Sequence, residues 1–368
     1  MTAIPLARPD LSERESTYVN EAIATSWIAS TGTFLERFEE EFASVCGTRH
    51  ALAVANGTVA LHLALLALGV GPDDEVIVPS LTYIASVNAV TYVGAHPVFV
   101  DVDPVTWCID PAAVAAAVTS RTKAIMAVHL YGQPADMDSL MSIAREYSLH
   151  VVEDAAEAPL ATYRDRPTGS LGHVATFSFY GNKILTSGEG GALTSDDDEL
   201  IARMKLFRGQ GMDLSRRYFF PVIGYNYRLT NIAAAFLCAQ MDRRSELVAR
   251  RLAIFARYTE ALANVPGIGL QASLPDRTRA PWLYSVLVGE EFGCTRDELA
   301  ASLAERDIET RPFFIPVHTL PPYASAAMDR VLPVTMRLGS QGINLPTYSQ
   351  MTDAEVDTVC AAIAATQR

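Results

Sequence analysis

From residue 51 onward, short apolar runs alternate with amphipathic or Ala-rich stretches at a regular spacing. Residues 51–55 read as a strand, 57–68 as a helix closed by Gly69, 75–78 as a strand and 83–92 as a helix. Then come a strand at 97–100, a helix after Asp110-Pro111, a strand at 124–128, a helix from Met137 and a strand at 150–153. That alternation predicts an α/β fold: a large domain with a mostly parallel mixed sheet between helices. Ahead of it, Ser12-x-x-Glu15 is a capping-box pattern opening an amphipathic helix to about Thr25, and a second helix at 34–46 stops at Gly47. Residues 174–179 alternate as a strand that breaks at Gly181, and 196–207 read as a helix. One long helix over 231–262 leads to Pro266-Gly267. Past that point the pattern predicts a strand at 282–288 and helices capped by Thr295-x-x-Glu298 and Thr352-x-x-Glu355, a smaller α+β unit. The expected domains are 1–265, with an N-terminal helical segment, and 266–368.

Composition narrows the function without choosing it. The chain has 368 residues, 49% of them hydrophobic, enough for a large core. The net charge of −13 carries no basic block, which argues against nucleic acid or an anionic membrane as partner. No apolar run reaches a membrane span, and Met1-Thr-Ala-Ile-Pro5 lacks the regions of a signal peptide, so a cytoplasmic location is expected. The five cysteines are scattered and read as reduced core residues; seven histidines form no ligand pair, so no metal is expected.

The candidate chemistry centres on Lys183, which follows the 174–179 strand and precedes the Gly-rich turn Gly188-Glu-Gly-Gly191. A desolvated amine there suits Schiff-base chemistry; a solvated loop lysine is the plainer alternative. Asp154 ends the apolar run 150–153, where open α/β sheets place ligands. A carboxylate at that point can keep a pyridinium nitrogen protonated, or cap the next helix. Asn56-Gly57-Thr58 turns a strand into a helix, whose free N–H groups and dipole suit a phosphate, though the same triplet is an ordinary helix start. No Gly-x-Gly-x-x-Gly or Gly-x4-Gly-Lys-Ser/Thr pattern supports a nicotinamide or nucleoside-triphosphate site.

Taken together, Asn56-Gly-Thr-x-Ala-Leu61, Pro79-Ser-Leu-Thr-Tyr83, Val152-Glu-Asp-Ala-Ala156, Thr176-Phe-Ser-Phe-x-x-x-Lys183, Gly188-Glu-Gly-Gly191 and Gly224-Tyr-Asn-Tyr-Arg228 resemble the DegT/StrS family of sugar aminotransferases. The resemblance implies a fold-type I pyridoxal 5'-phosphate (PLP) transferase of the aspartate-aminotransferase fold. It implies Lys183 as the catalytic Schiff-base lysine, Asp154 at the ring nitrogen, Tyr83 on the ring face, and Glu157 beside the ring oxygen, where many members have Gln. Gly57, Thr58 and Ser178 would hold the phosphate, and Asn226 would reach the phosphate in a neighbouring subunit, making the active unit a homodimer with shared sites. Arg228, Arg311 and His318 are candidate contacts to substrate. The implied donor is L-glutamate and the implied acceptor a nucleotide-linked keto-6-deoxyhexose, GDP-4-keto-6-deoxymannose first. A 3-keto (mycosamine-type) sugar, a dTDP-keto sugar, a cyclitol acceptor and a non-enzymatic regulatory relative are the alternatives.

Overall fold

The computed structural model describes residues 3–325 and 330–368; Met1 and Thr2, part of the segment read above for a signal peptide, lie outside the described residues. The first half of the chain supplies β1 (His50–Val54), β2 (Glu75–Pro79), β3 (His96–Val100), β4 (Thr122–Val128), β5 (His150–Asp154), β6 (Thr162–Tyr163), β7 (Arg166–Pro167), β8 (Val174–Ser178) and β9 (Gly191–Ser195). All but β6 and β7 join one sheet in the order β1-β9-β8-β5-β4-β2-β3. Strands β3, β2, β4, β5 and β8 run parallel, and β9 lies antiparallel between β8 and β1. The sheet is thus mixed but mostly parallel.

Helices cover both faces because both faces are apolar. Alternate residues of each strand enter different cores. Ile77, Ile125 and Val151 pack with α1 (Glu13–Ala24), α2 (Thr33–Cys46), α5 (Pro111–Ala117), α6 (Met137–Tyr147) and α8 (Asn231–Asp242). Val76, Val78, Met126 and Val152 pack with α3 (Gly57–Ala67), α4 (Ile84–Tyr92) and α7 (Asp198–Arg208). The alternation read in 174–179 therefore does not mark one wet face: the first four residues of β8 are all buried.

The expected helix over 231–262 is two helices, α8 and α9 (Arg244–Leu262), divided at Arg243, whose backbone leaves the helical range at φ −100°, ψ 1°. Its guanidinium is held by Asp10 at 2.9 Å and Glu246 at 3.0 Å, which pins the corner. Helical periodicity runs through such a corner unbroken, so the pattern could not show it. Beyond the corner α9 sends Ile254, Tyr258 and Leu262 into a third core. That core is shared with an antiparallel sheet of β10 (Ile268–Leu270), β12 (Tyr284–Val288), β14 (Gly342–Leu345) and β13 (Arg311–Pro312), in that order. A separate small β11 (Arg277–Thr278) pairs with β6. Helices α10 (Arg296–Ala304) and α13 (Asp353–Thr366) close the same core, while α11 (Pro321–Ala324) and α12 (Pro333–Gln341) lie between β13 and β14. All three capping boxes read from the sequence form, at Ser12/Glu15, Thr295/Glu298 and Thr352/Glu355. The C-terminal ends of β4, β5 and β8 and the N-termini of α3 and α4 converge on one cavity, the place where open α/β sheets receive ligands.

Candidate active site

The cavity holds about 630 Å³, within the range of small-molecule sites. At its floor Asp154 ends β5, 6% exposed, and its Oδ2 accepts a 2.6 Å hydrogen bond from the Ser86 hydroxyl of α4. Ser86 in turn pairs with Thr82 at 2.8 Å, and the amide of Ala156 donates to Asp154 Oδ1 at 3.2 Å. The carboxylate is therefore oriented from both sides. Neither Ser86 nor Thr82 was singled out from sequence; Thr82 precedes the N-cap Tyr83 and Ser86 lies in the first turn of α4, so their spacing of four across the helix start is the signal that was available.

Lys183 stands on a turn after β8, closed by its own amide donating to the Tyr180 carbonyl at 2.9 Å. Burial lowers the pKa of its ammonium below the ordinary lysine value, and the nearby Glu157 and Asp154 carboxylates oppose that shift. Glu157, 6% exposed, is pushed the other way by burial, up to about 7, with Lys183 opposing. Its Oε2 accepts the Tyr131 amide at 2.7 Å. Tyr131 makes that contact from φ 52°, ψ 34°, a left-handed conformation uncommon for an aromatic residue, so the backbone is bent to serve the carboxylate.

Helix α3 begins at the opposite wall. Asn56 caps it, its Oδ1 accepting from the Val59 amide at 3.0 Å, and Ser178 at the end of β8 lies alongside. A Cβ on Gly57 would stand 2.8 Å from the Ser178 Cβ, and one on Gly191 would stand 2.5 Å from the Asn56 carbonyl. Glycine at both positions lets β8 and β9 approach the helix start closely. Gly57, Thr58, Tyr83, Glu157, Ser178, Lys183 and Arg311 all line the same cavity as Asp154.

Three expected residues stand elsewhere. His318 is buried, its Nδ1 bound to the Ser80 hydroxyl at 2.6 Å, and it does not line the cavity. Asn226 and Arg228 lie on the exposed 224–228 segment, bonded to each other at 3.3 Å, outside the cavity of their own chain. Four aromatic rings that line the cavity, Tyr92, Tyr180, Trp282 and Phe314, were given no individual role from sequence. Phe314 lies 5.7 Å from Tyr83, and Trp282 faces Lys183. Trp282 was read only as the start of a strand, and nothing local distinguishes it from a core tryptophan.

The set has the right chemistry for PLP. A buried carboxylate, a desolvated lysine, an aromatic face and a helix N-terminus answer a basic ring nitrogen, a carbonyl, a flat ring and a phosphate. Asn182, also lining the cavity, leaves its buried Oδ1 without a protein partner among the described residues, an acceptor open to a ligand.

Residues 9–364 match the DegT/DnrJ/EryC1/StrS aminotransferase family. GDP-perosamine synthase of Caulobacter vibrioides is 51% identical over 364 residues, covering 98% of this chain and 97% of the relative. GDP-perosamine synthase of Escherichia coli O157:H7 is 43% identical, covering 99% and 98%. The crystal structure of DesV from S. venezuelae superposes with a TM-score of 0.91 at 38% identity, covering 99% of both chains.

Proposed function

Because the chain belongs to the DegT/DnrJ/EryC1/StrS aminotransferase family, we propose that it transfers the amino group of L-glutamate to GDP-4-keto-6-deoxymannose, yielding GDP-perosamine, with PLP as cofactor. The observation that carries this reading is the convergence of Lys183, Asp154 and the start of α3 on one cavity. The identity to GDP-perosamine synthases supports the choice of acceptor.

Asp154 would hold the ring nitrogen, Tyr83 would cover the ring face, and Glu157 would lie beside the ring oxygen. Gly57, Thr58 and Ser178 would hold the phosphate, joined by Asn226 of the partner subunit in a homodimer. When bound, the cofactor supplies a carbonyl that takes up the amino group and a protonated ring that withdraws electrons from the carbon losing its proton.

The chain's own residues do the rest. Ser86 aims Asp154 by donating its hydroxyl to Oδ2 at 2.6 Å. Lys183 Nζ would take the proton from Cα of L-glutamate and pass it to the cofactor's carbon, after which water would release 2-oxoglutarate. In the second half it would move a proton in the reverse direction, from the cofactor's carbon to C-4 of the sugar. Burial pushes its pKa down, which favours the free amine that this role needs. Arg311 at the cavity mouth would meet the anionic groups of donor and acceptor, with Arg228 as a further candidate. A cytoplasmic location belongs to the same proposal. Among the described residues no helix is long and apolar enough to cross a membrane.

The test is the visible absorbance of the purified protein. The cofactor band should fade on adding L-glutamate and return on adding GDP-4-keto-6-deoxymannose. A band that fades and never returns with that sugar would reject the acceptor; no band after PLP is added would reject the cofactor.

A further inference from the structure

Trp282 is 3% exposed, and its indole Nε1 donates to the main-chain oxygen of Asn182 at 2.9 Å. The bond ties the ring to the residue immediately before the lysine. Its face is turned to Lys183, whose Nζ stands 3.9 Å from the ring centroid. Tyr131, whose amide holds Glu157, stacks near the same indole at 6.2 Å and 22°. Ring, amine and carboxylate are thus linked through two backbone contacts.

Several charged groups face that amine. Glu157 and Asp154 approach from the end of β5 and attract an ammonium; Arg311 of β13 repels it, and burial favours the neutral form. Tyr83, Tyr180 and Glu189 complete the walls. An indole face differs from all of these. It attracts an ammonium through its quadrupole but cannot take the proton, so it stabilises a charged lysine without neutralising it. A carboxylate in contact would hold the ammonium more tightly and compete for its proton.

We propose that Trp282 is a positioning residue for Lys183: its indole face is the seat on which the amine holds a proton between taking it from one carbon and delivering it to another. The proposal rests on the reading of Lys183 as proton carrier. Between pick-up and delivery the proton is on Nζ, and Trp282 neither gains nor loses one.

The chain has three lysines, Lys123, Lys183 and Lys205, which makes the amine directly readable. The full-length cofactor-loaded protein is treated with excess L-glutamate to release Lys183, then pulsed with acetic anhydride at a series of pH values. Acetylation of each lysine peptide is read by mass spectrometry, with Lys123 and Lys205 as references. In Trp282→Leu the Lys183 midpoint should fall by about one pH unit, about tenfold in proton affinity, while the references stay put. Trp282→Phe, with a smaller and weaker ring face, should shift the same way by less.

A lowered Tm with an unchanged Lys183 midpoint would make Trp282 a packing residue and overturn the proposal. If Trp282→Leu does not fold, an unchanged midpoint in Trp282→Phe overturns it equally. Should Lys183 of the parent protein acetylate equally before and after L-glutamate, it is not the cofactor-bearing amine. That separate failure would remove the reading of Lys183 and the proposal with it.

Discussion

The Ser86 hydroxyl, one helical turn into α4, donates to Asp154 Oδ2 across 2.6 Å and fixes the carboxylate on which the cavity floor is built. Removing that donor leaves a buried carboxylate with one fewer partner. In Ser86→Ala the affinity for PLP should fall about tenfold, the size of one hydrogen bond to a charged group. Titration of the cofactor-free protein followed by absorbance measures it; unchanged affinity would show that Ala156 alone orients Asp154.

Glu157 sets a pH dependence of stability. Burial raises its pKa in the folded chain from 4.5 to about 7. The folded state then binds the Glu157 proton more tightly than the unfolded one, so this group's contribution is fully present below pH 4.5 and is lost as pH rises toward 7. Glu157→Gln removes that loss. Its Tm relative to the parent should rise from pH 5 to pH 8 in differential scanning calorimetry, and a difference flat across that range would contradict the burial argument.

Arg311 and His318 should separate cleanly. Arg311 lines the cavity mouth, so Arg311→Ala should raise KM for the sugar nucleotide about tenfold or more in steady-state assays, as loss of a charge-assisted contact does. His318 instead binds Ser80 behind the cavity wall. His318→Ala should leave that KM within about twofold while lowering stability by about 1–2 kcal/mol, the cost of breaking a buried hydrogen bond. A large KM effect at His318 would place substrate where no wall opens to it.

Asn226 lies outside its own chain's cavity, on an exposed segment bordered by the apolar side chains Leu214, Tyr218, Phe220 and Ile223, which are 51–89% exposed. If it completes a neighbour's site, a hybrid dimer of one Lys183→Ala and one Asn226→Ala subunit contains one site with both defects and one with neither. Mixing the two inactive homodimers should recover up to about half the parental activity per hybrid, as expected of isologous pairing. No recovery would mean that Asn226 serves its own chain or none.

Much of this was legible in the sequence because the relevant signals are local. Period-2 and period-3.6 patterns mark the strands and helices, and the three capping boxes mark helix starts within one residue. Gly57 and Gly191 stand in motifs that the family resemblance picks out, and the close approach of the Ser178 Cβ at Gly57 and of the Asn56 backbone at Gly191 explains why no side chain fits. Asp154 and Lys183 could be proposed because Asp154 ends β5 and Lys183 follows β8 on its turn, each inside its own short motif.

What depends on contacts between distant segments was not legible. The corner at Arg243 comes from Asp10, more than two hundred residues away, and periodicity does not record it. Ser80 holds His318 from the far side of the chain, which turns a candidate ligand contact into a wall support. Trp282 reads as an ordinary core residue until the fold lays its ring under the Lys183 amine and ties it to Asn182. The sequence by itself determined most of the helices, the parallel strands, the family and the candidate pair Lys183 and Asp154, because those follow from local periodicity and short motifs. Only the tertiary structure decided which other side chains face them, because that depends on how the strands and helices are brought together in space.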